Sequence, residues 1–320
     1  MGSAIYETIK ASRDLPSPTG VALKVLELAQ REESTAGQIA AVVETDPALA
    51  SRLLKLVNSS HSGLTRPIAS IQRAVALLGN RTVTNLALGF SLVSNHRSGR
   101  CERFEYEAFW SESLGRAVAA RHLADCYTGL APDDVFAVGL LCQIGRLALA
   151  TAFPGRYAEV LEASPGGEPA VLSAVELSEF GINHNELAQE MMSDWRLPDA
   201  YCRATRTQDA PDKVGEECEA QVAPLARILH LSGAVAGLLT VGEASRLMDL
   251  ETMLGSLNAP VEEFGPLFEV VAREWAAAAA ILSVRSRRVP SLSEIYAAAR
   301  ACQASLEKGR VSPLTGCQER

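Results

Sequence analysis

Apolar residues recur at intervals of three and four from the start of the chain to beyond residue 280, the period of helices that each bury one stripe. Val21, Val25 and Leu28 make one stripe, and Ile39, Val42 and Val43 a second. Asp46-Pro47 then reads as a helix start: the carboxylate can accept first-turn N–H groups, and proline at the first helical position gives up no internal hydrogen bond. Leu49, Leu53, Leu56 and Val57 continue that helix to about Ser59. Ile71, Ala74, Val75 and Leu78 carry the next, which Gly79 is expected to close in a left-handed cap. Val83, Leu86, Ala87 and Phe90 mark a fifth, and no segment in this part alternates as a strand does.

The polar run Asn95-His96-Arg97-Ser98-Gly99-Arg100 interrupts the pattern and predicts a domain boundary. Beyond it the spacing predicts helices over Phe104 to Cys126, from Asp133-Asp134 through Ala152, over Glu168 to Phe180 and over His184 to Trp195. Two more follow, over Val222 to Leu239 and Val261 to Ser286. No repeat of fixed period emerges, so the expectation is two all-α units.

Composition agrees with a globular chain: of 320 residues 48% are apolar and 21% charged, which excludes disordered and fibrous classes. The formal charge of −8 is unevenly spread. Residues 1–95 hold nine Lys/Arg and seven Asp/Glu, or +2, leaving 21 − 31 = −10 for the rest. No basic stripe accompanies the first part, so no nucleic-acid partner is expected. Seven scattered cysteines and the lack of an N-terminal apolar run predict a cytoplasmic protein. The apolar stretch Val135 to Ala152 is broken by Gln143 and Arg146, so no membrane span is expected either.

The order of motifs resembles one family. Leu15-Pro16-Ser17-Pro18, the run Val43 to Leu49, Arg52-Leu53-Leu54-Lys55-Leu56-Val57-Asn58-Ser59 and Leu77-Leu78-Gly79 are similar to the HDOD domain of bacterial signalling proteins. The likeness continues through Phe109-Trp110, Gly139-Leu140-Leu141, Ile144-Gly145-Arg146-Leu147, Phe180-Gly181 with His184, and Trp195-Arg196-Leu197-Pro198. It implies a helical relative of the HD phosphohydrolases, which hold metals with histidines and aspartates. Where that superfamily has its His-Asp pair, this chain has Cys142-Gln143. The earlier histidine position falls on Glu112 or Ser113, and the later pair near Thr207-Gln208, so only His184 keeps an imidazole. A neutral amide at Gln143 supplies no charge to balance a divalent ion, so no metal, cofactor or catalytic residue is expected. The alternatives left open are a rearranged zinc site of Glu112, Cys142 and His184, or a structural role for each. His184 also reads as a hydrogen-bonded histidine at a helix start, and Cys142 as a small buried hydrophobe.

Arg52, Lys55 and Asn58 share one helix face and are a candidate partner surface, or simply the solvated side of an amphipathic helix. At the other end, Ser291-Leu292-Ser293-Glu294 has capping-box form. Leu292, Ile295, Ala299, Cys302 and Leu306 follow at spacings of 3, 4, 3 and 4, a seam for a second copy or for the domain itself. Ser312 to Arg320, with Leu314-Thr315-Gly316, resembles the opening of a GGDEF diguanylate cyclase domain.

The resulting expectation divides the chain into an N-terminal segment (1–14), an N-terminal helical unit (15–98), a degenerate HD-like unit (99–288), a linker helix (289–311) and a cyclase-like stub (312–320). The expected role is a non-catalytic regulatory module that takes a small-molecule or protein signal and controls an attached or partner cyclase, with a homodimer through the C-terminal helix. A metal-dependent phosphohydrolase and a purely structural scaffold are the competing readings.

Overall fold

A computed structural model of the chain describes residues 2–11, 15–31, 34–59, 66–125, 129–164, 169–214, 220–240 and 264–286, with single positions at 289, 291, 293, 294 and 297. Every regular element among them is helical. Helix α1 (Gly2–Ala11) precedes five helices that match the periodicity of the first part: α2 (Gly20–Ala29), α3 (Ala36–Glu44), α4 (Pro47–Ser59), α5 (Ile71–Leu78) and α6 (Asn80–Asn95). Asp46 caps α4 as its spacing predicts, Oδ1 accepting the Ala48 and Leu49 N–H groups at 3.0 and 3.1 Å. Gly79 has positive φ, but its φ of 85° and ψ of 159° lie outside the left-handed helical region. That extended positive-φ conformation is open essentially to glycine alone, and it lets α6 start at once after α5.

Next come α7 (Tyr106–Ala124), α8 (Pro132–Leu141), α9 (Ile144–Ala152), α10 (Pro154–Ala163), α11 (Pro169–Phe180), α12 (His184–Asp194), α13 (Asp199–Thr207), a 3-10 turn (Pro211–Lys213), α14 (Val222–Thr240) and α15 (Phe264–Leu282). The single helix expected from Asp133 to Ala152 is two, α8 and α9, turning at Cys142-Gln143. Periodicity hides this break because both halves are apolar on nearly every side, and it places the family-signature residues at a corner facing α12, α13 and α14. Helices α1, α10 and α13 lie in stretches to which the sequence pattern assigned no element.

Helix α7 is the central post, buried from Trp110 to Ala124 except at Glu112, with α8, α14 and α15 packed around it. Buried apolar side chains from Tyr6 to Leu282 form one continuous cluster that passes through α6, α7 and α8. The polar run after Asn95 is tied into this frame. The Trp110 indole donates to the His96 carbonyl at 2.8 Å, and Arg97 donates to the Leu282 carbonyl and, at 2.5 Å, to that of Ser283 at the end of α15. Ser283 takes a left-handed φ of 54°, which stops α15 four residues short of the expected end. Two segments, Pro132–Ala152 and Val222–Thr240, have the length and hydropathy of membrane spans. They lie 83% and 72% buried inside the fold, as core helices do.

Candidate functional site

Six elements converge where α8 turns into α9. Glu112 and Arg116 come from α7, Cys142 and Gln143 from the turn, Arg146 from α9, Tyr157 from α10, Glu176 from α11, and His184 and Asn185 from the start of α12. Gln208 and Asp209 follow α13. Close approach of the backbones makes this possible: a Cβ on Gly145 would stand 1.9 Å from the His184 carbonyl oxygen.

His184 is fixed from two sides. Glu176, completely buried, accepts both the His184 backbone N–H (2.8 Å) and Nδ1 (2.5 Å) on one carboxylate oxygen, and the Tyr157 hydroxyl (2.9 Å) on the other. With Nδ1 donating, Nε2 faces Asp209 at 3.8 Å. The carboxylate of Glu176 also sits at the N-terminus of α12, where the helix dipole favours negative charge. Burial, reinforced by the neighbouring Glu176, pushes the Tyr157 hydroxyl well above the ordinary tyrosine range, so it remains a donor.

A second layer is neutral. Gln208 donates to the Cys142 carbonyl (3.0 Å), to Asn185 Oδ1 (2.8 Å) and to the Thr205 carbonyl (3.0 Å), and it accepts from Gln143 at 3.2 Å. Asn185 in turn donates to Asp209 at 2.6 Å. The amide at Gln143, in place of a carboxylate, thus serves an amide chain. Cys142 donates to the Gly139 carbonyl at 3.3 Å, and burial pushes its thiol up to about 11.

A third layer is cationic. Arg116 bonds Glu112 through Nε and Nη2 at 3.3 and 3.2 Å, and Arg146 lies 3.9 Å from the same carboxylate. Two guanidinium groups therefore serve the Glu112 carboxylate. Among the described residues no three His, Cys, Asp or Glu side chains cluster as a metal would need. The donor set does not suit a divalent ion: the Gln143 amide is neutral and engaged with Gln208, and two fixed cations stand beside the Glu112 carboxylate.

Of the residues singled out in the sequence, Glu112, Cys142, Gln143, His184 and Gln208 meet here. Ser113, the alternative to Glu112, is buried with its hydroxyl unpartnered. Thr207 only bonds back to its own helix, through the Arg203 carbonyl. Arg116, Arg146, Tyr157, Glu176, Asn185 and Asp209 were not foreseen as site residues. Glu176 was findable, since Leu172, Glu176 and Phe180 follow at intervals of four and share the buried face of α11.

The candidate partner face divides. Arg52 donates to Ser94 at 2.6 Å, joining α4 to α6 in a cavity of about 300 Å³ with Thr19, Asp46 and Asn95. Lys55 and Asn58 line a separate shallow groove with Pro47 and Leu54. Asn58 there holds the backbone of Ile68 by both its N–H (2.7 Å) and its carbonyl (2.8 Å). At the C-terminal end Ser291 and Glu294 form the reciprocal bonds of a capping box, at 2.7 and 3.3 Å. Leu292, Ile295, Ala299, Cys302, Leu306 and the cyclase-like stretch lie outside the described residues.

The HDOD domain profile matches residues 15–211, well over half of the chain. The chain belongs to the HDOD family. A protein of Treponema pallidum (strain Nichols), itself uncharacterized, is 26% identical over 196 residues, covering 60% of this chain and 37% of the relative. The chain spans about a third of the length of the curated relatives it matches. Among solved structures, the MmoQ response regulator of Methylococcus capsulatus str. Bath is 34% identical, with 79% of this chain and 97% of that chain covered and a TM-score of 0.49. A proposed phosphohydrolase from Shewanella amazonensis SB2B is 21% identical with a TM-score of 0.64, over 88% of this chain and 97% of that chain, which shows a common fold.

Proposed function

We propose that this HDOD chain is a non-catalytic regulatory module in bacterial signal transduction. The observation that carries the reading is the state of the central polar cluster. The positions matching metal ligands are engaged in internal hydrogen bonds and ion pairs, His184 with Glu176, Glu112 with Arg116, and Gln143, an amide where a hydrolase needs a charged ligand, with Gln208. A metal-bound water of lowered pKa, the nucleophile of such hydrolysis, has no ligand set to generate it.

The module's output, in this reading, is a diguanylate cyclase domain that follows it or a cyclase partner. The support is the sequence: a capping box, a 3-4 spaced seam from Leu292 to Leu306, and Leu314-Thr315-Gly316 directly after it. Two heptads bury little area, so association through them alone is expected to be weak.

Two experiments test the proposal. Elemental analysis of the purified chain should find no stoichiometric Fe, Mn or Zn, and cyclic dinucleotides and nitrophenyl phosphodiesters should not be hydrolysed. About one metal per chain, lost in Cys142→Ala, would restore the hydrolase reading. For coupling, Ile295→Asp with Leu306→Asp is made in the protein encoded by the whole gene, where dimerisation and cyclic-di-GMP synthesis should both fall. If both are unchanged, the coupling role is wrong.

A further inference from the structure

We infer that Arg116 is an internal cation of this HDOD site: its guanidinium is held between the Glu112 carboxylate and a slot at Gly233, where it does the charge balancing that a bound ion performs elsewhere. The inference goes beyond the absence of catalysis, because it says what has taken the ion's place.

Two independent features support it. First, Arg116 lies on α7 one turn after Glu112 and bonds that carboxylate through two of its nitrogens, at 3.3 and 3.2 Å. Second, α14 makes room for it. A Cβ on Gly233 would stand 2.6, 2.7 and 2.8 Å from Nη1, Nη2 and Cζ of Arg116, so the guanidinium rests on bare glycine backbone. Glycine inside a helix costs up to about 1 kcal/mol relative to alanine, and Gly233 lies in the middle of the 19-residue α14. The slot explains that placement.

Charge bookkeeping fits the same picture. Glu112, Glu176 and Asp209 bring three negative charges to the cluster, and Arg116 and Arg146 bring two fixed positive ones. A divalent ion would have to displace Arg116 from Glu112 and from the Gly233 slot before reaching its ligands. The cation is tethered, so the site has no need of an ion from solution.

Chemical rescue tests this directly. Arg116→Ala leaves a hole shaped for a guanidinium and a carboxylate lacking its partner, so the melting temperature should fall by roughly 5–10 °C. About 10 mM methylguanidinium should restore at least half of that loss, while urea and methylammonium should not, and the parent chain should not respond. If Arg116→Ala is recovered only as aggregate, refolding is compared with and without methylguanidinium. Selective recovery of folded chain supports the inference, and no recovery overturns it. A folded Arg116→Ala that is unresponsive, or that responds no more than the parent chain, overturns it too. Gly233→Ala gives a second reading: in the parent chain it should push the guanidinium off its slot and lower the melting temperature, whereas in Arg116→Ala, where the slot is empty, it should not. The same effect in both backgrounds means that Arg116 does not occupy the slot. Elemental analysis of the parent chain decides the non-catalytic reading separately, so the two claims can fail independently.

Discussion

Gly145→Ala is the sharpest single probe of how the HDOD core holds its polar centre. The added methyl would stand 1.9 Å from the His184 carbonyl oxygen, 2.8 Å from its carbonyl carbon and 3.0 Å from the Ala188 nitrogen. All three are backbone atoms of α12, so no rotamer change relieves the overlap. Reaching an ordinary separation of about 3.4 Å requires α9 and α12 to part by about 1.5 Å. Overpacking with side-chain relief costs about 1–3 kcal/mol, and here the movement also strains the two hydrogen bonds from His184 to Glu176, each worth about 1.5–3 kcal/mol when the acceptor is charged. The expected loss is therefore about 3–5 kcal/mol. Urea unfolding followed by circular dichroism measures it, with Gly155→Ala as the control. Gly155 is in the first turn of α10 with nothing within 4 Å of its Cβ, so its substitution should be neutral or stabilising by up to about 1 kcal/mol. A Gly145→Ala chain within 1 kcal/mol of the parent would refute the close approach of α9 to α12 on which the site geometry rests.

Other consequences can be measured in the same way. Glu176→Gln leaves the His184 and Tyr157 donors facing a neutral amide and should cost about 3 kcal/mol in urea unfolding. Burial holds the pKa of His230 below its ordinary 6.5, so the unfolded chain takes up the proton first and stability should decline as pH falls below 6.5; His230→Asn should flatten that part of the profile. Burial raises the pKa of Glu274, but His122 and Arg121 outweigh it and leave the carboxyl below its ordinary 4.5. Its stabilisation is thus complete above 4.5 and lost in stronger acid, a dependence that Glu274→Gln should remove. Tyr6→Phe removes the hydroxyl that donates to Asp194 at 2.5 Å and should cost about 1 kcal/mol, measurable by thermal unfolding.

Much of the fold was legible because each helix of the first unit carries a single apolar stripe with a polar cap, and period and capping act locally. Asp46 at α4 and Ser70 at α5 show the rule at work, each accepting N–H groups of the turn that it opens. Legibility fails where a helix is buried all round. Between Val135 and Ala152 nearly every position is apolar, so the corner at Cys142-Gln143 leaves no trace in the periodicity, and it is set by packing against α12 and α13. The site was half legible for a related reason. The family motif located Cys142, Gln143 and His184, but their partners lie elsewhere, Gln208 after α13 for Gln143 and Glu176 on α11 for His184. Only the tertiary fold brings Arg116, Tyr157 and Glu176 within reach.

One signal in the sequence did point to this chemistry. Arg116 stands in Leu114-Gly115-Arg116-Ala117-Val118, on a helix whose neighbours are small and apolar on all sides. A guanidinium does not lose its proton in a protein, so burying it demands a carboxylate or a ring of acceptors nearby. Glu112, one turn earlier, meets that demand from the same helix, and Gly233 supplies the space from another. A charged residue buried within the apolar run Leu114 to Ala120 thus predicts a partner close by. Arg116 and Glu112 hold their charge balance at any pH at which the carboxylate is ionised, and no ion need be captured from solution. Arg116, Arg146 and the neighbouring amides answer the inward-facing carboxylates with side chains of the chain's own.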